Sequence, residues 1–145
     1  MEEKIREYIK NEGIFLPKNL IINLYSQILK FAGGLSGIIQ VGAREAGKKA
    51  GENFKEFLKD KNYNIEEVLK IFFEETNLGK IEVKKLENGY EVNVIDSVFL
   101  NAHPNVEVSL KPVVGAIEGF LSGFEGCEYS SKIKGKTIIL TKKGG

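Results

Sequence analysis

The sequence predicts an α+β domain in which helices pack on a four-stranded, mostly antiparallel sheet. Three observations carry this. The apolar residues recur at helical spacing through the first half of the chain and at a spacing of two after Gly79. Two turn signals, Glu87-Asn88-Gly89 and Lys134-Gly135, are each flanked by alternating runs, which is the pattern of a β-hairpin. Between those hairpins the stretch KPVVGAIEGFLSGFEG, Lys111 to Gly126, reads as a buried helix.

The helices come first. Glu2 to Asn11 is amphipathic, with Ile5, Tyr8 and Ile9 on one side, and Gly13 ends it. Ile14-Phe15-Leu16-Pro17 is an apolar extended piece, because the residue before proline is pushed away from the helical region. Leu20, Ile21, Leu24, Ile28, Leu29 and Phe31 form the stripe of the next helix, and Gly33-Gly34 breaks it. A long helix follows from Ser36 to Lys59, in which Ala43, Gly47 and Gly51 fall four apart. Asn64 with Glu67 three residues on resembles a capping box, and Ile65, Val68, Leu69, Phe72 and Phe73 supply the buried stripe behind it. Asn77-Leu78-Gly79 terminates that helix.

The strands follow. Ile81 and Val83 alternate with charged residues, and after the turn Tyr90, Val92 and Val94 do the same. Asp96 to Asn105 reads as a loop with an apolar start at Val98-Phe99-Leu100. In the helix from Lys111, Val113, Val114, Ile117, Phe120, Leu121 and Phe124 share one stripe. Gly115, Gly119 and Gly123 share another, at spacing four. Each interior glycine costs about 1 kcal/mol relative to alanine. Three in register therefore mark a seam where another backbone comes close. Cys127, Tyr129, Ser131 and Ile133 alternate up to the second turn, and Thr137 to Leu140 returns.

The chain of 145 residues suits one domain. Its net charge of +1 gives no general pull towards nucleic acid or an anionic membrane surface. The lysines at 132, 134, 136, 142 and 143 have no interleaved aromatic residues, and they read as charges that keep edge strands from pairing. One cysteine excludes an internal disulfide and fits a reducing compartment. The charged start, MEEKIREYIKNEG, lacks the apolar core of a signal peptide, and no apolar run reaches the length of a membrane span. A cytoplasmic protein is expected.

No dinucleotide fingerprint or Walker motif is present, since Gly33, Gly34, Gly37 and Gly42 follow no strand. The single histidine and cysteine, His103 and Cys127, could act as base and nucleophile only if the fold brings them together. Cys127 reads as a small buried hydrophobe. Arg44-Glu45 reads as a surface or capping pair. The aromatic residues are more telling: nine Phe and five Tyr are many for a core of this size. Most of them serve packing, and the excess suits a cavity wall or a dimer surface.

The run Val41-Gly42-Ala43-Arg44-Glu45-Ala46-Gly47 resembles the Gly-Arg-x-x-Gly helix of the 4-vinyl-reductase-like small-molecule-binding domain. Pro112 to Gly123 resembles that family's glycine-spaced helix, and Tyr129 to Leu140 its closing hairpin. The resemblance runs from about Ile14 to the end, so residues 1–13 are an N-terminal helical extension to a domain at 14–145. It implies a fold shared with ligand-binding domains of NO signalling and of Golgi-transport tethers. It also implies homodimers formed through helices, and apolar ligands: hydrocarbons, aromatic effectors or tetrapyrrole-like molecules. Members of this kind are binding modules. The family name suggests a reductase or a factor in tetrapyrrole metabolism, but this chain shows no redox cofactor motif.

On that resemblance, and on the aromatic excess, Phe72, Phe73, Phe99, Phe120 and Phe124 are the expected wall of a cavity between helices and sheet, with His103 or Tyr129 as its polar handle. A scaffold for protein interaction, its cavity filled by its own side chains, is the alternative. Many relatives hold zinc with two cysteines flanking the closing turn, an upstream cysteine and an acidic residue. Here Ser131 stands at the first of those positions and no cysteine follows Gly135. The family's zinc site is therefore not expected intact. His103 and Cys127 are the ligand types nearest to it.

Overall fold

The computed structural model describes residues 2–13 and 17–144. Of the apolar extended piece read at 14–17, residues 14–16 lie outside the described residues. The helices are α1 (Glu2–Glu12), α2 (Lys18–Phe31), α3 (Ser36–Leu58), α4 (Ile65–Glu75), the single turn α5 (Val106–Ser109) and α6 (Lys111–Glu125). The strands are β1 (Gly79–Leu86), β2 (Gly89–Ser97), β3 (Tyr129–Lys134) and β4 (Thr137–Lys142). They form one antiparallel sheet in the order β1-β2-β4-β3. The α+β class is the one the sequence predicts.

Local chemistry explains the boundaries. The Asn64 side chain caps α4 by accepting from the Glu67 N–H at 3.2 Å. Asn77, at φ 58°, turns the chain out of that helix. Pro112 sits in the first turn of α6, where no hydrogen bond is lost. Strand β3 begins at Tyr129, two residues after the expected alternation. In the first hairpin Leu86 pairs with Gly89, so the two-residue loop is Glu87-Asn88, not Asn88-Gly89. Gly89 opens β2 instead. A Cβ there would collide with the Leu140 carbonyl oxygen, and its φ is 156°. Glycine is required at this position because β4 approaches closely, and the turn makes no such demand.

One face of the sheet is apolar. Ile81 and Val94 pair across β1 and β2, Val92 and Ile138 across β2 and β4, and all four are buried. Helix α6 packs against β3 and is buried nearly all round. Helix α3 covers the other side of α6, in the most extensive contact between any two elements.

That contact is the glycine seam. A Cβ on Gly115, Gly119 or Gly123 would strike backbone of α3 at Gln40, Arg44 or Lys48. A Cβ on Gly47 or Gly51 would strike backbone of α6 at Ala116 or Phe120. The two small-residue stripes thus face each other within one chain, and the absent side chains let the backbones touch.

Helix α2 is different. Only Tyr25 and Leu29 are buried on it, while Leu20, Leu24 and Phe31 are exposed, Phe31 by 87%. Leu35, Ile38 and Val41, in the turn after α2 and the start of α3, are exposed as well.

Candidate functional site

The α3–α6 lock places aromatic residues from four helices in one cluster. Phe54 and Phe57 come from the C-terminal half of α3, Phe72 and Phe73 from α4, Phe120 and Phe124 from α6, and Tyr8 from α1. The rings of Phe72 and Phe120 lie 5.1 Å apart, Phe54 and Phe120 5.6 Å, and Phe54 and Phe72 5.7 Å. Phe120 and Phe124 stack at 5.8 Å. Tyr8 lies flat on Phe57 at 4.4 Å and meets Phe54 edge-on at 5.1 Å. Tyr63 meets Phe124 edge-on at 5.2 Å. Offset and edge-to-face pairs of this kind add about 0.5–1.5 kcal/mol beyond area burial.

Of the residues expected to line a cavity, Phe72, Phe73, Phe120 and Phe124 come together here. Phe73 and Phe120 are fully buried, and Phe72 is half-buried at the edge of an open cleft of about 260 Å³. Tyr8, Ile9, Ala50, Phe54 and Thr76 line the same cleft. A second cleft, about 290 Å³, lies against Ile5, Tyr63, Val68 and Ile71.

Phe99 and His103 belong to another neighbourhood. Phe99 packs edge-on against Tyr25 of α2 at 5.7 Å, and the Tyr25 hydroxyl donates to the Val108 carbonyl at 2.6 Å. His103 sits in the turns between β2 and α5. Its Nδ1 accepts from the Asn105 N–H at 3.0 Å, and its backbone N–H donates to Ser109 Oγ at 2.8 Å.

Tyr129 lies at the start of β3. Its hydroxyl donates to Glu125 Oε2 at 2.8 Å, and the Tyr90 hydroxyl donates to Oε1 at 2.7 Å. Lys142 reaches the same carboxylate at 3.5 Å. Burial, then the bond to Glu125, raises both phenols well above their ordinary range. Burial alone pushes Tyr25 up to about 12.

Arg44-Glu45 reads in sequence as a surface or capping pair. Arg44 instead reaches across the seam to Glu118 at 3.3 Å. Glu118 is only 5% exposed, and the Ser131 hydroxyl donates to its other oxygen. This carboxylate ties α3, α6 and β3 together, and a polar cleft of about 200 Å³ opens beside it. Among the described residues no three His, Cys, Asp or Glu side chains come together as a metal site. Cys127 is a half-buried free thiol between α6 and β3.

Tyr8, Phe54 and Phe57 were not among the expected wall residues. The signal was present in their spacing: Tyr8 shares a helix face with Ile5, and Phe54 and Phe57 sit three apart on α3.

No family model matches the chain, and no curated protein matches it. Among solved structures, the phenol-responsive sensory domain of the transcription activator PoxR, in complex with phenol, superposes with a TM-score of 0.66. The match covers 90% of this chain and 76% of that one at 14% identity. The chain therefore shares the fold of a small-molecule-sensing domain. Among the described residues no helix is long and apolar enough to cross a membrane.

Proposed function

We propose that this protein is a cytoplasmic binding domain of the 4-vinyl-reductase-like kind, and that it holds an apolar hydrocarbon, aromatic or tetrapyrrole-like molecule. The observation that carries this is the aromatic cluster of α3, α4 and α6, open at Phe54 and Phe72 to a cleft of about 260 Å³, on a fold shared with a phenol-binding sensory domain. Binding there draws on burial of apolar area at roughly 25 cal/mol per Å², less the cost of association. Residues 1–13 are an added N-terminal segment that carries α1, and 14–145 the binding domain proper. A ligand-linked rise in stability follows from mass action. The melting temperature of the purified protein rises with phenol concentration on this reading. No shift with phenols, fatty acids or porphyrins, and no retained ligand on solvent extraction, contradicts it.

The domain works as a homodimer, with no nucleic-acid partner. Leu20, Leu24 and Phe31 recur along one face of α2, next to exposed Leu35, Ile38 and Val41. Exposed large apolar side chains recurring on one helix face are the composition of a surface that a second copy covers.

The same face, with the tight ring-to-ring packing of Phe72, Phe73 and Phe120, favours a second reading. In it the chain is an interaction scaffold resembling the Golgi-transport tether subunits, and its own phenylalanines fill the cavity. Ligand retention separates the two readings.

A further inference from the structure

Helix α1 lies over the aromatic cluster and is fastened there by few groups. Its 11 residues are too short to hold a helix alone in water. Ile5 and Ile9 are buried beneath it, and the Tyr8 ring rests on Phe57. Arg6 bridges to Glu74 at 3.4 Å and to Glu75, and Lys10 lies 4.0 Å from Glu75. These pairs are part-exposed and therefore weak. Both apolar clefts described above have α1 as a wall: Ile5 borders one, Tyr8 and Ile9 the other. Withdrawing α1 bares Phe54, Phe57 and Phe72 together with Val68 and Ile71.

We infer that the groove beneath α1 is the ligand site, that its ligand is a neutral apolar ring or chain, and that α1 is a cover the ligand displaces. This rests on the small-molecule-binding reading above. Ile5, Tyr8 and Ile9 occupy the groove in the closed state and present the shape and chemistry a ligand must replace: two branched aliphatic groups and one aromatic ring. The rim left on α4 is acidic, while the Lys61 ammonium, 4.7 Å from the Phe57 ring centre, stays beside the bared rings on the α3 side. Arg6 and Lys10 leave with α1, while Glu74 and Glu75 stay on α4 without their partners, and Glu67 borders the other cleft. An anionic ligand then meets like charge on the α4 side of the rim; a neutral one does not. Opening and binding are coupled, because the apparent affinity is the intrinsic affinity scaled by the fraction of open molecules.

Hydrogen exchange read by mass spectrometry on the full chain tests this, with wild type and Arg6→Ala, each free, with phenol and with benzoate. In the free wild type the α1 amides exchange through local opening, faster than those of α6. Arg6→Ala speeds α1 exchange about fivefold and tightens phenol binding by the same factor, leaving α6 unchanged. Phenol speeds exchange in α1 and slows it in α3 and α4, and benzoate does neither. Exchange of α1 only through global unfolding, in both proteins, overturns the cover. Phenol that protects other elements while α1 is unaffected or slowed overturns displacement and leaves the ligand-binding reading standing. Phenol without effect on any peptide overturns the groove as the ligand site, and the binding reading is then decided by the fatty-acid, porphyrin and extraction measurements above.

Discussion

Gly119 of α6 lies directly against the carbonyl of Arg44 of α3, with no room between them for a methyl group. The Arg44 side chain then returns across the same seam to Glu118, the residue before that glycine. Backbone contact and ion pair are thus made by one residue of α3 and two adjacent residues of α6. The lock they form carries Phe54, Phe120 and Phe124 on its C-terminal side, and so sets the geometry of the aromatic cluster.

Substitution in the seam acts on folding, since both seams belong to one chain. Gly119→Leu forces the helices apart and costs at least the about 1–3 kcal/mol typical of overpacking. Gly42, also in α3, has nothing within 4 Å of where a Cβ would stand. Gly42→Ala is therefore expected to stabilise by about 0.5–1 kcal/mol, from helix propensity alone. Circular dichroism melts of the two variants should move in opposite directions. A Gly119→Leu protein as stable as the parent would show that the helices do not meet as described.

Glu118 makes a second prediction. Arg44→Met leaves its buried carboxylate with only the Ser131 hydroxyl, and removing one partner of such a pair costs about 1–3 kcal/mol. Replacing both, Arg44→Met with Glu118→Leu, removes the uncompensated charge, so the double variant is expected to be more stable than Arg44→Met alone. Denaturant unfolding of the three proteins gives the coupling. Strictly additive effects would mean that the two groups do not interact.

The tyrosines predict a loss of stability in alkali. Tyr25, Tyr90 and Tyr129 are all raised in the folded state, by burial first. Above about pH 10 the unfolded chain releases phenolic protons that the folded chain keeps. Their stabilisation is therefore complete below that pH and declines above it, through about 12 for Tyr25. Tyr90→Phe combined with Tyr129→Phe should flatten the decline. Urea midpoints measured from pH 8 to 11 check this, and an unchanged slope would count against it.

The exposed face of α2 predicts association. Burying a side chain such as Leu or Phe is worth about 1.5–3 kcal/mol. Leu24→Asp with Phe31→Asp should therefore weaken a dimer by well over tenfold while leaving the melting of the monomer near its original value. Native mass spectrometry across a dilution series reads both. A parent chain that is monomeric at every concentration refutes the assignment of that face.

Much of this architecture was legible in sequence because its causes are local. The Ser36 start of α3 follows a glycine break, the α4 cap is made by residues three apart, and the glycine seams announce themselves by spacing. What each seam faces was not legible, since spacing defines a face and says nothing of its partner. Arg44 and Glu118 are 74 residues apart, and nothing local joins them. The turn α5 is too short to show a period. It rests on one side chain, Asn105, which accepts from the Glu107 and Val108 N–H groups at 2.9 and 3.3 Å. The grouping of Phe72 and Phe73 with Phe120 and Phe124 rests on the family resemblance and the aromatic excess, since apolar stripes mark buried faces and not which faces meet. The stripe of α1 was legible too, but Tyr8 joins the cluster through a tertiary contact, as does the pairing of Phe99 with Tyr25, which periodicity does not encode.

The most direct measurement is an aromatic carbon NMR titration of the labelled protein with phenol. The account predicts saturable shifts at Tyr8, Phe54, Phe57 and Phe72, with Phe31 and Phe99 unmoved. Shifts confined to Phe31 or Phe99, or no saturable shift at all, would contradict it.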